Sequence, residues 1–319
     1  MILITGGAGF IGSNIAMRLN SAGIDDLLIS DRLASSGKWR NLTHFVFSDY
    51  IDMETLLSSL DAMNIQAVIH MGARTDTMDQ NAADIMRDNF SYTKTLWHWC
   101  TANKVPFIYA SSASVYGDGS RGFSEHTDLN HSKALNPYAL SKLAFDRWVA
   151  HQTSAPPRWA GLRFFNVYGP GEAHKGRMAS VVFHAYNEVS RSGYISLFKS
   201  YKPAFRDGEQ KRDFIYVKDV ADIVYYLLES THLKSGMYNV GTGEARTFND
   251  LAASVLEALG TTTGTIQYVD MPAGLPNSYQ YVTQADVRRL REAGYDKSFT
   301  SLNQGIKEYV DMIHCSEHA

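Results

Sequence analysis

The chain has 319 residues, of which 45% are hydrophobic and 20% are charged, and its formal net charge is −3 at pH 7. This composition is that of an ordinary soluble globular protein of one or two domains, and the small net charge gives no reason to expect nucleic acid or a membrane as partner. Two cysteines, Cys100 and Cys315, supply neither a disulfide framework nor a metal site. With no visible signal peptide and no membrane-length apolar run, we expect a cytoplasmic protein without bound metal.

The first residues predict a strand, a tight turn and a helix. Met1–Ile4 is apolar, a G-x-G-x-x-G pattern ends at Gly12, and Ser13–Leu19 has helical periodicity. Glycines in such a turn permit unusual backbone angles and let a pyrophosphate approach the amino end of the helix. Asp31 ends the next apolar run, about 20 residues on, where an acid can bind an adenosine ribose. The segment therefore predicts a dinucleotide site rather than a turn without ligand.

Strands and helices alternate through the first half of the chain. Apolar runs that predict strands end at Ile4, Ser30, Phe47, His70 and Ala110, with a further strand at Gly161–Phe165. Helical stretches between them include Met53–Met63 and Ala82–Ala102. This order predicts an α/β fold with a Rossmann-like doubly wound parallel sheet, whose ligands lie beyond the carboxyl ends of the strands.

The alternation breaks at Val167, so we predict a second, smaller α/β domain that binds substrate. Beyond the break, Phe214–Leu228 predicts a strand start and a helix, Gly236–Val240 a strand and Thr247–Leu259 a helix. The Rossmann domain then comprises 1–166, 213–243 and about 280–295. The substrate-binding domain comprises 167–212, 244–279 and 296–319.

Tyr138 and Lys142 form the second motif with chemical meaning. Pro137 suits the first turn of a helix, so the two side chains lie one turn apart on one face. A phenol titrates near pH 10, and a nearby ammonium favours its ionised form. The spacing alone is common on protein surfaces, but after a dinucleotide fingerprint it indicates an acid/base pair. Ser112 follows the strand at Phe107–Ala110, where its hydroxyl can bind a substrate oxygen or cap a turn.

These motifs resemble those of the extended short-chain dehydrogenase/reductase family over nearly the whole chain. The resemblance begins with Thr5-Gly6-x-x-Gly9-x-x-Gly12, Ser112 and Tyr138-x-x-x-Lys142. More specific segments resemble the branch that inverts C6 of ADP-heptose for the inner core of lipopolysaccharide; they are Arg163–Pro170, His174–Ser180, Arg212–Phe214 and Tyr281–Asp286. The resemblance implies bound NADP, two catalytic bases and a homo-oligomer, a pentamer or larger.

Individual roles follow from the resemblance position by position. Tyr138 and Lys175 match the two bases, Lys142 matches a lysine that also holds the nicotinamide ribose, and Ser112 matches the family serine. Positions that match cofactor contacts are Gly6, Gly9, Phe10, Ile11, Gly12, Asp31, Arg32, Lys38, Met71, Gly72, Ala73, Asn89, Lys142 and Val167. Positions that match substrate contacts are Ser112, Asn166, Arg177, His184, Phe198, Arg212 and Tyr279. Arg32 and Met53 depart from the Asn and Lys of relatives.

A basic excess in the 199–212 stretch is apparent without the resemblance. Its basic residues are Lys199, Lys202, Arg206, Lys211 and Arg212, against Asp207 and Glu209. Such a stretch suits a diphosphate, which arginine can bind with two parallel hydrogen bonds, although a solvated loop is the alternative. Lys175, in a loop rich in glycine and charge, would pass for an ordinary surface residue.

Four functions are compatible with these residues. The favoured one is epimerisation of a nucleotide sugar by transient oxidation, and the next is a C4 epimerase or reductase of another nucleotide sugar. A 4,6-dehydratase is less favoured, because Ala113 and Ser114 stand where that class carries an acid pair. A non-catalytic NADP-binding regulator usually lacks the Tyr/Lys pair that this chain keeps.

Overall fold

The computed structural model describes residues 1–261, 265–272 and 279–317. The predicted substrate-binding ranges 244–279 and 296–319 therefore include three short segments, 262–264, 273–278 and 318–319, that lie outside the described residues. Within the described part of the chain no helix is long and apolar enough to cross a membrane.

The strands of the described residues make up three sheets. In chain order they are β1 (Ile2–Thr5), β2 (Leu27–Asp31), β3 (Asp49–Asp52), β4 (Ala67–His70), β5 (Phe107–Ser112), β6 (Trp159–Phe164), β7 (Asn166–Tyr168), β8 (Tyr194–Phe198), β9 (Lys211–Tyr216), β10 (Gly236–Val240), β11 (Ala245–Thr247) and β12 (Thr265–Val269).

The α-helices lie on both faces of the main sheet and over the smaller sheets. They are α1 (Phe10–Ser21), α2 (Met53–Ser59), α3 (Ala82–Met86), α4 (Tyr92–Ala102), α5 (Pro137–Ala150), α6 (Val181–Ser192), α7 (Val217–Glu229), α8 (Phe248–Ala258), α9 (Arg288–Glu292) and α10 (Leu302–Glu317). Short 3₁₀ segments include Gly37–His44, Leu60–Ala62, Ala113–Tyr116, Leu129–His131 and Ala173–Met178.

A seven-stranded parallel sheet in the order β10-β6-β5-β4-β1-β2-β3 confirms the predicted Rossmann-like fold. Successive side chains of a strand point to opposite faces, and both faces are buried. Ile4 belongs to the core cluster that includes residues of α1 and α7, whereas its neighbour Leu3 belongs to the one that includes residues of α4 and α5. The strand order reverses between β1 and β4, so a ligand cleft is expected where these two strands end.

Two smaller sheets follow the main one. β9 pairs in parallel with β7 and antiparallel with β11, and β8 pairs in parallel with β12. Their core contains buried side chains of α6, α8 and α10. β9 thus lies outside the main sheet, while β10 forms the main sheet's edge. The exact domain boundaries remain a prediction.

The predicted strand that ends at Phe47 is wrong. A 3₁₀ segment occupies Gly37–His44, and β3 begins at Asp49. The Asn20 side chain, on α1, is the reason: its amide accepts from Val46 N at 2.7 Å and donates to Val46 O at 3.1 Å, so these backbone groups are not available to a sheet. Phe45 is buried in the core without belonging to a strand.

The predicted helices are confirmed with changes at their ends. The stretch 82–102 is α3, one π-helical turn at Arg87–Ser91, and α4. The stretch 53–63 is α2 followed by a 3₁₀ turn. Thr247 caps α8 in a capping box with Asp250 rather than being its first residue.

Candidate active site

The glycines of the first turn pack three chain segments against one another. Gly6 has φ +68°, and a Cβ there would lie 2.6 Å from Gly72 N in the loop after β4. A Cβ on Gly12 would lie 2.2 Å from Gly6 O. Gly9 precedes α1, and in the described part of the chain no side chain caps that helix. The amino end of α1 therefore has unpaired N–H groups available to an anion.

Asp31, at the carboxyl end of β2, is at the centre of a polar cluster. Its carboxylate accepts hydrogen bonds from Ala8 N at 3.0 Å, Arg32 N at 2.7 Å and Lys38 Nζ at 2.5 Å. These groups border a cleft of about 250 Å³. Six predicted cofactor residues line it: Gly6, Asp31, Arg32, Lys38, Gly72 and Ala73.

Arg32 extends from this cluster toward two further acids. Its guanidinium lies 3.5 Å from Glu54 Oε1 and 3.6 Å from Asp88 Oδ2. Its Nε is buried, and no described residue accepts a hydrogen bond from it. A buried donor without a partner in the wall of a cleft is a group that a bound anion can satisfy.

Asn89, a predicted cofactor contact, also has a role within the fold. The side chain is buried; its Oδ1 accepts from Arg74 N at 2.7 Å, and its Nδ2 donates to Arg74 O at 2.9 Å and Ser141 Oγ at 3.0 Å. It therefore anchors the loop after β4 to α5. A direct contact with cofactor remains a prediction, whereas the anchoring contacts are present in the structure.

A second cleft, of about 320 Å³, adjoins the first, and Ala73 lines both. It brings together residues that are far apart in sequence. Predicted site residues in its wall are Phe10, Ile11, Met71, Ala73, Ser112, Tyr138, Lys142, Asn166, Val167 and Lys175. All four residues that the sequence assigned to catalysis thus face one space.

Tyr138 is presented by the first turn of α5. Pro137 starts the helix, and the Asn136 side chain caps it by accepting from Ala139 N at 2.8 Å. Burial raises the pKa of the Tyr138 phenol, and a hydrogen bond with the Ser112 hydroxyl opposes that rise. Ser112 and Tyr138 thus line the same cleft, and the catalytic role of Ser112 remains a prediction.

Lys142 does not lower the pKa of Tyr138, contrary to the expectation from the sequence. Its Nζ donates to Ala110 O at 2.8 Å. Burial lowers the pKa of Lys142 to about 8, and the charge of Asp146 opposes that shift. The phenol's pKa is thus raised rather than lowered, because burial dominates and the ammonium is bonded to a backbone carbonyl.

A buried ion pair beneath this site escaped the sequence reasoning. Asp146 Oδ2 accepts from Arg163 Nε at 2.9 Å and from Ser111 Oγ at 3.0 Å, and Arg163 Nη1 donates to Tyr116 OH at 3.0 Å. Asp146 is one turn beyond Lys142 on the same helix. The spacing between Lys142 and Asp146 could have indicated that Asp146 lies near the site. It could not have identified Arg163, on β6, as the partner of Asp146.

His70 was also missed as a site residue. It ends β4, lines the first cleft, and lies within 2.5 Å of Thr5 Oγ1 and 2.8 Å of Thr93 Oγ1. Burial, with the charge of Lys142, lowers the pKa of His70 to about 3. The ring is therefore neutral at neutral pH and connects β1, β4 and α4.

Lys175 lies in the 3₁₀ segment Ala173–Met178, on the wall of the second cleft. Its ammonium lies 5.4 Å from the ring centroid of Phe10. Burial lowers the pKa of Lys175, and the charge of Glu172 opposes the shift. An apparently ordinary surface lysine is thus placed in the cleft by the fold.

Five predicted substrate residues lie apart from the second cleft. Arg177 is exposed and pairs with Asp76 Oδ2 at 2.5 Å, and His184 Nε2 lies 3.3 Å from Arg177 O. Phe198, Arg212 and Tyr279 form a separate cluster: the Arg212 guanidinium lies 4.9 Å from the Tyr279 ring centroid, which is 6.4 Å from that of Phe198.

Arg212 differs from Lys199, another basic residue of its stretch. Lys199 pairs with Asp270 at 3.3 Å, but within the described ranges Arg212 belongs to no ion pair. Burial lowers the pKa of Arg212, which the neighbouring Tyr279 opposes. It is a partly buried cation between two aromatic rings, Tyr279 and Phe248.

Comparisons with known proteins agree with this arrangement. Residues 2–241 match the model of the NAD dependent epimerase/dehydratase family. The chain is 47% identical to the ADP-L-glycero-D-manno-heptose-6-epimerase of Fusobacterium nucleatum, an alignment that covers 99% of each chain.

Solved structures resemble the whole chain. The ADP-L-glycero-D-manno-heptose-6-epimerase of Helicobacter pylori is 30% identical with a TM-score of 0.80, over 98% of this chain and 96% of that one. The UDP-glucose 4-epimerase of Thermus thermophilus, in complex with NAD, is 27% identical with a TM-score of 0.79, over 98% of each chain.

Proposed function

The chain belongs to the NAD dependent epimerase/dehydratase family, and from that membership we propose that it converts ADP-D-glycero-D-manno-heptose to ADP-L-glycero-D-manno-heptose. Its relatives support an epimerase, which is an isomerase in overall reaction. One observation carries the proposal: two acid/base groups, Tyr138 and Lys175, come from separate elements and line one cleft. Inversion of a carbon outside a sugar ring needs such a pair.

A nicotinamide dinucleotide fits the residues of the two clefts. Glycines leave room at the amino end of α1 for a pyrophosphate, and Asp31 is placed for the adenosine ribose. Lys142 would hold the nicotinamide ribose beside Tyr138. When bound, the dinucleotide would take a hydride from C6 of the sugar and return it.

Two proton-transfer groups follow from the geometry of inversion. Tyr138 or Lys175 removes the C6 hydroxyl proton as the carbon becomes a ketone. Because C6 lies outside the ring, rotation about the C5–C6 bond turns the ketone over while the ring and the nucleotide stay anchored. The carbonyl oxygen then points away from the first group, so the other group must supply its proton. Partial burial, which lowers the pKa of Lys175, suits it for this exchange.

Ser112 and Asn166 complete the cleft around the reacting carbon. Ser112 lines the cleft together with Tyr138, which supports a role in holding the C6 oxygen. Asn166, at the start of β7, lines the same cleft, which supports a contact with the sugar hydroxyls. The partly buried Arg212, with Phe198 and Tyr279, offers a cation and aromatic rings to the ADP portion.

We propose NADP as the resident cofactor. A carboxylate such as Asp31 alone favours NAD, since it accepts from the ribose 2′-hydroxyl and repels a 2′-phosphate. Here Lys38 offsets that charge at 2.5 Å, and Arg32 adds a guanidinium with an unpaired Nε. The physiological role we propose is supply of L-glycero heptose for lipopolysaccharide.

The experiment is a conversion assay on the purified chain without added cofactor. We expect ADP-D-glycero-D-manno-heptose to give a mixture of C6 epimers by NMR, and the released dinucleotide to be NADP by mass spectrometry. UDP-glucose serves as the comparison substrate. Epimerisation of UDP-glucose alone would assign a C4 epimerase, and bound dinucleotide with no conversion of either sugar would favour a regulator.

A further inference from the structure

The loop that carries Lys175 connects β7 to α6. Its backbone turns are closed by Lys175 N donating to Glu172 O at 2.9 Å and Ala179 N donating to Gly176 O at 3.0 Å. Gly176 has φ +52°, and Ser180 caps α6 by accepting from Phe183 N at 3.2 Å. These short-range bonds shape the loop, but none of them ties it to β7.

The side chain of Glu172 supplies that tie. The residue is fully buried. Its Oε1 accepts from Gly169 N at 3.2 Å and from Ser180 Oγ at 2.7 Å, and its Oε2 accepts from Ser180 N at 2.5 Å. One carboxylate therefore joins the chain just after β7 to the first turn of α6, and Lys175 lies between these two points.

The surroundings of Glu172 make it more than a packing residue. Burial raises its pKa, while the Ser180 and Gly169 donors and the charge of Lys175 oppose the rise. Burial and the neighbouring Glu172 raise the pKa of Tyr309, on α10. Glu172 and His174 are charged or titratable neighbours of Lys175. Burial, with the charges of Lys38 and Lys175, lowers the pKa of His174. Glu172 is the negative group next to the Lys175 ammonium.

We propose that Glu172 is a positioning residue for Lys175. Its carboxylate closes the 172–180 loop and so holds the Lys175 ammonium on the cleft wall beside Phe10. The inference rests on the proposed function only where it treats Lys175 as a base. Its structural part, that Glu172 fixes the lysine, can be tested without substrate.

Glu172→Gln is the informative variant. The donors to the carboxylate, Ser180 N–H, Ser180 O–H and Gly169 N–H, cannot all be satisfied by an amide whose Nε2 is itself a donor. Glu188→Gln is a matched control: Glu188 accepts from Ser196 N at 2.8 Å and Ser196 Oγ at 2.5 Å, the same pair of donors at the same sequence separation, between α6 and β8.

Competitive labelling of lysines with acetic anhydride, followed by mass spectrometry, measures the rate at which Lys175 is acetylated relative to the exposed Lys104. In Glu172→Gln we expect faster labelling of Lys175, because the amine is more exposed and has lost a neighbouring anion. Glu188→Gln should label like the wild type. A folded Glu172→Gln protein with wild-type labelling of Lys175 overturns the proposal.

Activity provides the second readout. For Glu172→Gln we expect kcat for ADP-heptose epimerisation to fall on the order of 10²-fold, as for a misplaced catalytic group, with KM little changed. Unchanged kcat in the folded variant overturns the proposal. A wild-type protein that fails to epimerise ADP-heptose refutes the proposed function instead, and the labelling result then still decides the role of Glu172.

If Glu172→Gln does not fold, Ser180→Ala replaces it. This variant removes the Ser180 Oγ donor and leaves the charge of Glu172 in place. We expect Lys175 to be labelled faster than in the wild type. The increase should be smaller than that for complete release of the loop, because the charge of Glu172 remains. Wild-type labelling of Lys175 in folded Ser180→Ala then overturns the proposal.

Discussion

Tyr138 and Lys175 differ in their surroundings, and the two-base scheme gives them separable tests. Tyr138→Phe and Lys175→Met should each abolish full epimerisation, with losses on the order of 10²–10⁴-fold, because each removes one proton-transfer group. Each variant should still dismutate a substrate analogue with an aldehyde at C6, since one group remains. Both reactions are followed by NMR.

Lys307→Met is a suitable control for these variants. Lys307 lies on α10, exposed and paired with Asp311 at 3.1 Å. Its epimerase activity should match that of the wild type. Near-normal epimerisation by Lys175→Met would leave Tyr138 as the sole base and defeat the scheme.

Arg212→Ala should weaken binding of the nucleotide sugar and leave cofactor binding intact. The guanidinium is partly buried between Tyr279 and Phe248 and belongs to no ion pair among the described residues, so a phosphate would be its first charged partner. Loss of a charge-assisted hydrogen bond costs about 1.5–3 kcal/mol. Calorimetric titration with ADP-heptose checks this. The exposed Arg191→Ala is the control, and equal affinity in both variants would assign Arg212 a structural role.

At the scale of elements, local patterns predicted what local physics controls. The strand–glycine–helix start, the helix begun by Pro137 and the β10 strand at Gly236–Val240 all follow from short-range signals. The partners of β7, β9 and β11, by contrast, are set by contacts between distant segments. The false strand at Phe47 shows the same limit, because one distant side chain, Asn20, decided it.

The candidate site divides in the same way. Tyr138, Lys142 and Asp31 were predictable because their motifs are short. Lys175 was predicted through resemblance alone, since its burial depends on how the loop folds onto Phe10. Asp146 and Glu172 were missed, because no local pattern specifies which groups donate hydrogen bonds to their carboxylates.

The Asp146–Arg163 pair fixes α5, which carries Tyr138, against β6. Both side chains are almost fully buried, at 2% and 3% exposure. Asp146→Ala should lower the free energy of unfolding by about 3–5 kcal/mol, because it leaves the Arg163 charge buried and unpaired. Urea unfolding measures this. Asp311→Ala, which removes an exposed ion pair, should cost about 0–1 kcal/mol, and a similar small cost for Asp146→Ala would contradict the prediction.

His70, at the end of β4, should make the free energy of unfolding of the protein depend on pH. Its folded pKa of about 3 lies below the ordinary 6.5, so on acidification the unfolded chain takes up the proton first. Between pH 6.5 and 3 this group should reduce stability by about 1.4 kcal/mol per pH unit, and above pH 6.5 it should have no effect. Unfolding of His70→Gln should therefore be less sensitive to pH in this window than unfolding of the wild type. Identical slopes in the two proteins would refute the assignment.

At the scale of the whole molecule, the two clefts adjoin at Ala73, and residues of the main sheet and of β7 in the three-stranded sheet line them. Gly6 and Gly72 close the sheet side, Asn166 and Val167 follow the last residues of β6, and Lys175 comes from the loop before α6. A dinucleotide across both clefts would contact segments from the first strand to the start of α6. Its binding should therefore stabilise the folded chain as a whole.

Cofactor choice should be visible in that global stability. Because Lys38 lies 2.5 Å from Asp31 and Arg32 borders the same cleft, a 2′-phosphate meets two cations there, beside the carboxylates of Asp31 and Asp88. We expect cofactor-free protein to be stabilised by about 2.7 kcal/mol at a NADP concentration 100 times its Kd, and less by NAD at that same concentration. The Lys38→Ala, Arg32→Ala double variant should lose the preference, because Asp31 then repels the phosphate unopposed. Arg40→Ala, at an exposed neighbouring position, should retain it. Melting temperatures across a titration of both cofactors measure the effect, and equal stabilisation of the wild type by NAD and NADP would refute the preference.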